Sequence, residues 1–280
     1  MNHIELYNQT ALQCGKLITR RYSTSFSLGI RMLGAHIRGP IYAIYAFVRL
    51  ADEIVDTFHG HDKETLLREF REDTQKAIDR RISVNPVLHA FQQTVHAYGI
   101  ERELIDAFLE SMEMDLTGKT YNDSLYQQYI YGSAEVVGLM CLRVFCTGNE
   151  ALYQQLKAPA RSLGAAFQKV NFLRDLKDDH DDRGRMYFPG VDFSRFSVAD
   201  KHQIERDILV DFADALKGIQ QLPASSRKGV YLAYRYYLKL FRKITQKNPQ
   251  QIKEERIRIN NASKLYILMK SVARYRLNLF

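Results

Sequence analysis

Residues 42–56 read YAIYAFVRLADEIVD, and this stretch decides the class of fold. The residues before Arg49 are apolar over several helical turns, and Asp52 and Asp56 follow, four positions apart. This spacing puts both carboxylates on one face of a helix, one turn apart. Like charges so placed repel, which predicts a cation nearby. An ion pair between Arg49 and Asp52 at i, i+3 is the alternative interpretation, and it requires no chemistry.

The same helical period recurs along the chain. Leu104, Phe108 and Met112 follow it, and so do Tyr231, Tyr234, Leu238 and Phe241. Alternating strand patterns are almost absent. Six prolines and fifteen glycines are few for 280 residues, and none of them forms a linker-like run. The sequence therefore predicts an all-α bundle of roughly ten or more helices, in a single domain that spans residues 1–280.

A second acidic motif lies in residues 168–179, which read QKVNFLRDLKDD. Asp175 and Asp179 repeat the spacing of four, and Asn171 and Gln168 precede them on the same helical face. Magnesium prefers oxygen ligands, with one or two carboxylates completed by substrate phosphates. Two matched carboxylate pairs that face each other across a bundle would hold such ions around a diphosphate, and basic side chains would take up the remaining charge.

Other kinds of cofactor site have less support. A calcium loop starting at Asp179 fails, because Arg183 stands where an oxygen ligand belongs and Gly190 where a glutamate does. No P-loop or GxGxxG motif occurs, so we expect no flavin or Rossmann-bound nucleotide. The three cysteines show no zinc spacing and are interpreted as free thiols of a reducing compartment. They are Cys14, Cys141 and Cys146.

The positive charge is concentrated at the C-terminus. The net charge is +8, yet residues 227–280 alone carry fourteen Lys and Arg against two acids, a net +12. A solvated face, an anionic membrane surface and nucleic acid all fit such a block. A helical nucleic-acid-binding protein is the weakest of these, because it leaves the paired carboxylates unexplained. No signal peptide or spanning helix is visible, so we expect a cytoplasmic protein with peripheral membrane contact as an option.

Together these motifs resemble the squalene and phytoene synthase family, which joins prenyl diphosphates head to head. The pattern NxxRDxxxD continues into GRMYFP at residues 184–189, and residues 42–56 are similar to the other acidic signature of the family. YSTSF at residues 22–26 and YIYG at residues 129–132 are similar to two further motifs. The likeness covers about residues 20–270 and implies an isoprenoid-synthase-type helical bundle with a central active-site cavity.

The resemblance also implies roles for particular residues. The metal ligands would be Asp52, Asp56, Asp175 and Asp179. Side chains that contact the substrate would be Ser23, Ser25, Phe26, Arg49, Gln168, Asn171, Arg174 and Arg185. The catalytic set would be Tyr131, Tyr187, Arg49, Asp52 and Asp175. Arg183 in place of Arg185 remains open, since the spacing from Asp179 is one residue longer than expected. For Tyr131 the alternative is ordinary helix packing, since Tyr129 is an equally placed neighbour.

The implied reaction is the condensation of two geranylgeranyl diphosphates, through a cyclopropyl diphosphate, to phytoene. The implied cofactor is Mg²⁺, with Mn²⁺ as a substitute. Squalene or dehydrosqualene synthesis from farnesyl diphosphate is the alternative, and only its reductive form requires NADPH. Gly29 and Ile30, one helical turn beyond the serine motif, are not aromatic. We interpret this as room for a twenty-carbon tail.

Overall fold

Helices make up nearly all of the described chain. The computed structural model describes residues 2–117, 121–181, 187–191, 195–254, 256–260, 267–268 and 271. Within these ranges the regular structure consists of twelve α-helices and one π-helical turn, without a strand. The all-α prediction is therefore confirmed.

The helices follow one another with short connections. Their bounds are α1 His3–Tyr22, α2 Thr24–Arg31, α3 Ala35–Asp56, α4 Lys63–Arg80, α5 Pro86–Tyr98, α6 Arg102–Leu116, α7 Asp123–Ile130, α8 Val136–Cys146, α9 Glu150–Asp181, α10 Val198–Gln221, α11 Ala224–Thr245 and α12 Pro249–Glu254. The π-helical turn, Tyr131–Glu135, joins α7 to α8.

Polar side chains define where the helices near the site begin. Asn122 caps α7 by accepting a hydrogen bond from the Leu125 amide at 2.9 Å. Ser23 ends α1 and caps α2, because its hydroxyl accepts the Phe26 amide at 3.1 Å. Such caps satisfy amide groups that have no partner within the helix. The cap at Ser23 sets the sharp change of direction between α1 and α2.

Two glycines bring α9 and α6 against the π-helical turn. A Cβ at Gly164 would lie 2.6 Å from the Ala134 carbonyl oxygen, and one at Gly132 would lie 2.4 Å from the Ala107 carbonyl oxygen. Both distances are shorter than van der Waals contact, so only glycine permits these approaches. The close packing fixes the wall that α7, the π-helical turn and α8 present to the centre of the bundle.

One aromatic part of the core lies against α3. Phe47 is fully buried and stacks on Phe91, with ring centroids 3.9 Å apart. Within the part of the chain that the structure describes, one stretch, Asp123–Cys146, has the length and mean hydropathy (1.3) of a membrane span. Its most apolar part is 61% buried against other helices. This burial is what a core helix requires.

Candidate active site

A large cavity runs through the bundle between α2, α3, α8, α9, α10 and α11. Its volume is about 750 Å³, within the range of sites that enclose small molecules. Along α9 its wall extends from Leu156 to Asp179, about 35 Å at the rise of an α-helix. The wall is apolar at Leu156 and becomes polar towards Asp175. Along α3 the same change runs from Ile41 to Asp56.

Most of the predicted site residues lie in the wall of this cavity. They are Ser23, Ser25, Phe26, Arg49, Asp52, Asp56, Gln168, Asn171, Arg174, Asp175, Asp179 and Tyr187. Gly29 and Ile30 also line the cavity. Arg183 and Arg185 lie outside the described residues, so the choice between them stays open.

Tyr131 is the predicted residue that the cavity wall does not include, and Tyr129 is included in its place. The guanidinium of Arg161 lies over the Tyr131 ring, 5.3 Å from its centroid, and also pairs with Glu135. Two residues along a helix are about 200° apart around its axis, so the two tyrosines point in opposite directions. The structure therefore places Tyr129, the neighbour named above, and not the predicted Tyr131, at the cavity.

On α3, the acidic motif is arranged differently from the simplest sequence interpretation. Arg49 forms its ion pair with Glu53, one turn further along, rather than with Asp52. Its guanidinium also lies over the Tyr22 ring at 4.5 Å. The Nε atom of Arg49 is buried and has no hydrogen-bond partner among the described residues. An oxygen acceptor inside the cavity would satisfy this donor.

On α9, two arginines hold Asp175, the first carboxylate of the second pair. Asp175 accepts from Arg174 Nε at 2.9 Å and pairs with Arg256 Nε at 2.7 Å. Arg256 also lies 3.5 Å from Asp178. Burial works against the charge of Arg174, but the hydrogen bond and charge of Asp175 outweigh it, and the pKa of Arg174 is raised. Arg256 was not predicted from the sequence as a site residue, because no motif distinguishes it from the other basic residues of the C-terminal segment.

The donor set at this end of the cavity suits a hard cation. Asp52 and Asp56 from α3 line the same space as Asp175, Asp178 and Asp179 from α9. Among the described residues, no three acidic, histidine or cysteine side chains form a ready-made metal cluster. Magnesium needs only one or two protein carboxylates, because water and substrate phosphates supply its other ligands. Carboxylates on two facing walls of the cavity meet this need. The residues present therefore fit the metal in kind, with ligand positions left for a diphosphate.

Next to the carboxylates, hydroxyl and amide groups line the wall. Tyr45 hydrogen-bonds to Ser23, and burial, the largest cause, raises the pKa of Tyr45 to about 12. The Tyr237 hydroxyl donates to the Asn171 side-chain oxygen at 3.3 Å, and the Asn171 amide donates to Gln168 at 3.4 Å. Both tyrosines remain protonated at neutral pH. They can therefore act as neutral donors.

Aromatic rings continue the wall beyond these polar groups. Phe167 stacks on Tyr237 with centroids 3.9 Å apart, and Phe26 lies against both Tyr45 and Tyr237. Phe172 stacks on Tyr187 at 4.1 Å. Ring faces attract cations electrostatically, most strongly where water is excluded. The arrangement thus places anion-binding groups at one end and cation-stabilising rings directly beside them.

Most of the chain matches a known protein family. Residues 19–263 match the family described as squalene/phytoene synthase. The chain is 31% identical to phytoene synthase of Rhodobacter capsulatus over 80% of its length and 70% of the relative. It is 28% identical to chloroplastic phytoene synthase 1 of Zea mays, over 83% of this chain, and spans 60% of the length of the maize protein.

The fold has a close counterpart among solved structures. A dehydrosqualene synthase determined in complex with a ligand superposes with a TM-score of 0.82 at 20% identity. The superposition covers 96% of this chain and 98% of the other. The predicted isoprenoid-synthase-type bundle with a central cavity is therefore confirmed. With two carboxylate pairs on one cavity and a family match over most of its length, the chain belongs to the squalene/phytoene synthase family.

Proposed function

We propose that the protein is a prenyltransferase that condenses two prenyl diphosphates head to head. One observation carries the proposal: the carboxylate pairs of α3 and α9 and three arginines converge on the polar end of a cavity that is otherwise apolar and aromatic. A molecule with a diphosphate head and a long hydrocarbon tail has the same distribution of polarity. Relatives described as phytoene synthases in bacteria and plants support the assignment.

The polar end would bind and activate the diphosphate. Asp52, Asp56, Asp175 and Asp179 would hold Mg²⁺, or Mn²⁺, which neutralises the charge of the departing diphosphate. The buried Nε of Arg49 would donate to a phosphate oxygen, and so would Arg174 and Arg256. The start of α2 contributes the residues around Ser23, where amide groups favour an anion.

The aromatic wall would protect and stabilise the carbocation that remains. Loss of the diphosphate leaves an allylic cation that water would destroy, so the site has to exclude water. The rings of Tyr45, Phe172 and Tyr237 flank the polar end, and each ring face can contribute about 1 kcal/mol or more when desolvated. The double bond of the second prenyl diphosphate then adds to this cation, and loss of a proton closes the ring of a cyclopropyl diphosphate. Loss of the remaining diphosphate, rearrangement and loss of a second proton give the hydrocarbon.

For the substrate, we propose geranylgeranyl diphosphate, with phytoene as the product in carotenoid biosynthesis. The extended cavity along α9 and the non-aromatic residues Gly29 and Ile30 in its wall support a twenty-carbon tail. Farnesyl diphosphate, giving squalene or dehydrosqualene, is the second candidate. The closely matching fold of a dehydrosqualene synthase favours it. NADPH belongs to the squalene alternative alone.

One assay tests both the reaction and the substrate. Purified protein is incubated with Mg²⁺ and either geranylgeranyl or farnesyl diphosphate, with and without NADPH, and the hydrocarbon is identified by mass spectrometry. We expect phytoene from the twenty-carbon substrate without NADPH, and loss of product on chelation of the metal. Hydrocarbon from farnesyl diphosphate alone would overturn the substrate assignment. No hydrocarbon from either substrate would overturn the function.

We also propose a cytoplasmic protein that touches anionic membrane through the basic segment 227–280. The structure changes how this contact would work, because Tyr231, Tyr234 and Tyr237 are buried and cannot insert into lipid. Attachment would therefore rest on lysine and arginine charge and not on these three rings, at about 1 kcal/mol per basic residue near an anionic surface. In vesicle co-sedimentation, binding should rise with anionic lipid and disappear at high salt. Equal recovery with neutral vesicles would contradict it.

A further inference from the structure

A buried carboxylate that the proposed reaction does not use lies behind the cavity wall. Asp115 is in the last turn of α6 and is 7% exposed. One of its oxygens accepts the Tyr129 hydroxyl at 2.7 Å, and the other accepts the Tyr187 hydroxyl at 3.0 Å. The two hydroxyl oxygens are themselves 3.5 Å apart. An ionised carboxylate only accepts hydrogen bonds, so both phenols point their protons at Asp115.

These hydrogen bonds join three separate parts of the chain. Tyr129 comes from α7 and Tyr187 from the segment that follows the second acidic motif, and both line the cavity while Asp115 does not. The Tyr121 ring packs on both, 5.3 Å from Tyr129 and 5.1 Å from Tyr187, and Phe172 stacks on Tyr187. The two rings are thus held in place from behind and from the side.

The orientation of the two phenol groups affects the electrostatic potential of the cavity wall. With both protons directed at Asp115, neither phenol proton points into the cavity, and the charge of the carboxylate lies behind the two tyrosines. Burial, and then the charge of Asp115, hold the pKa of Tyr129 well above its ordinary value, so its proton stays in place. In a low-dielectric wall, a fixed negative charge and oriented dipoles act strongly on a nearby cation.

We propose that Asp115 is a positioning residue that holds the hydroxyls of Tyr129 and Tyr187 and makes this wall electronegative where a prenyl cation develops. The proposal rests on the proposed function. Asp115 would act through the tyrosines, because it does not itself line the cavity. It would raise the rate of the steps that form a cation and contribute little to diphosphate binding.

Binding of a positively charged mimic of the prenyl cation tests the role of Asp115 without requiring catalysis. The probes are a prenyl ammonium compound and its uncharged carbon isostere, each with Mg²⁺ and inorganic diphosphate, with affinity measured by calorimetry. Asp115→Asn keeps the size of the side chain and removes its charge. It should weaken ammonium binding by about tenfold or more and leave the isostere within about twofold. Equal losses for both probes, or no loss, would overturn the proposal.

Glu205→Gln is the matched control. Glu205 is also 7% exposed and ion-paired, to Lys201 on α10, but it does not line the cavity. This variant should bind both probes like the wild type. If Asp115→Asn fails to fold, the double variant Tyr129→Phe and Tyr187→Phe keeps both rings and removes both hydrogen bonds. It too should lose affinity for the ammonium probe selectively, and an unselective loss would overturn the proposal.

Turnover then separates this proposal from the proposed function. In an active protein, Asp115→Asn should lower kcat at least about tenfold with KM nearly unchanged, and its effect should shrink in the double-phenylalanine background. Independent, multiplying effects would contradict action through the tyrosines. A wild-type protein that prefers the ammonium probe but makes no hydrocarbon would overturn the proposed function and leave the role of Asp115 standing.

Discussion

The two ends of the cavity are built from different kinds of sequence. Most side chains of the polar end lie close together along α3 or along α9. The spacing within each helix alone brings them to one face of that helix. The apolar end combines α2, α8, the beginning of α9, α10 and α11, which are far apart in the chain. Residues that are neighbours in the sequence thus supply the reactive groups. The size of the cavity depends instead on how closely helices that are distant in the sequence approach one another.

Glycines control that approach at the apolar end. A Cβ at Gly218 of α10 would lie 2.5 Å from Pro159 of α9, and one at Gly229 of α11 would lie 2.7 Å from the Gly29 carbonyl oxygen of α2. No motif marks these positions. Substitutions at the polar end should therefore affect turnover without affecting the fold, and substitutions of such glycines should do the opposite.

The largest effect is expected at the polar end. Asp175→Asn, or Asp52→Asn, should lower turnover by orders of magnitude because a metal ligand is lost, while the helical circular dichroism is retained. Steady-state kinetics at saturating Mg²⁺ measure this. Asp214→Asn, at a partly exposed α10 residue paired with Lys217, is the control and should keep full turnover. Near-normal turnover in folded Asp175→Asn would contradict the metal assignment.

A glycine of the close-packed region should show the contrasting behaviour. Gly164→Ala places a Cβ against the Ala134 carbonyl and should lower the free energy of unfolding by about 1–3 kcal/mol. Denaturant titration measures this change. The control Gly39→Ala meets only the Leu12 side chain at 3.6 Å and should be neutral or stabilising. Equal stability of the two variants would refute the role of close approach.

Arg256 tests whether the polar end includes a residue from outside both motifs. Arg256→Gln removes a partner of Asp175 and Asp178 and should raise KM for the prenyl diphosphate by about tenfold with little change in melting temperature. Arg258→Gln, two residues away, lies outside the cavity wall and serves as the control. The assignment would be wrong if the two variants had the same KM.

The smallest effect concerns substrate length at the apolar end. Ile30 is buried and lines the cavity, so Ile30→Phe should shorten the available space and shift preference towards farnesyl diphosphate by several-fold. Competition between the two diphosphates measures the shift. Ile82→Phe, at an exposed position, should leave the preference as it is. An unchanged ratio for Ile30→Phe would remove this residue from the determinants of chain length.

The sequence by itself determined the helical class, the two carboxylate pairs and most of their neighbours. Helical geometry relates residues three and four apart regardless of what surrounds them, so Asp52 with Asp56, and Asn171 with Asp175, could be placed on shared faces in advance. The family resemblance added the roles of these residues and named Ser23 and Phe26 at the start of α2.

Only the tertiary structure decided which face of a helix lines the cavity and which residues distant in the sequence are in contact. It placed Tyr129 instead of Tyr131 on the cavity, and it brought Arg256 and Asp115 to partners up to 81 residues away. Such contacts have no period along the chain. They arise when helices pack at distances set by small residues such as Gly164 and Gly218, and that packing depends on the whole bundle at once.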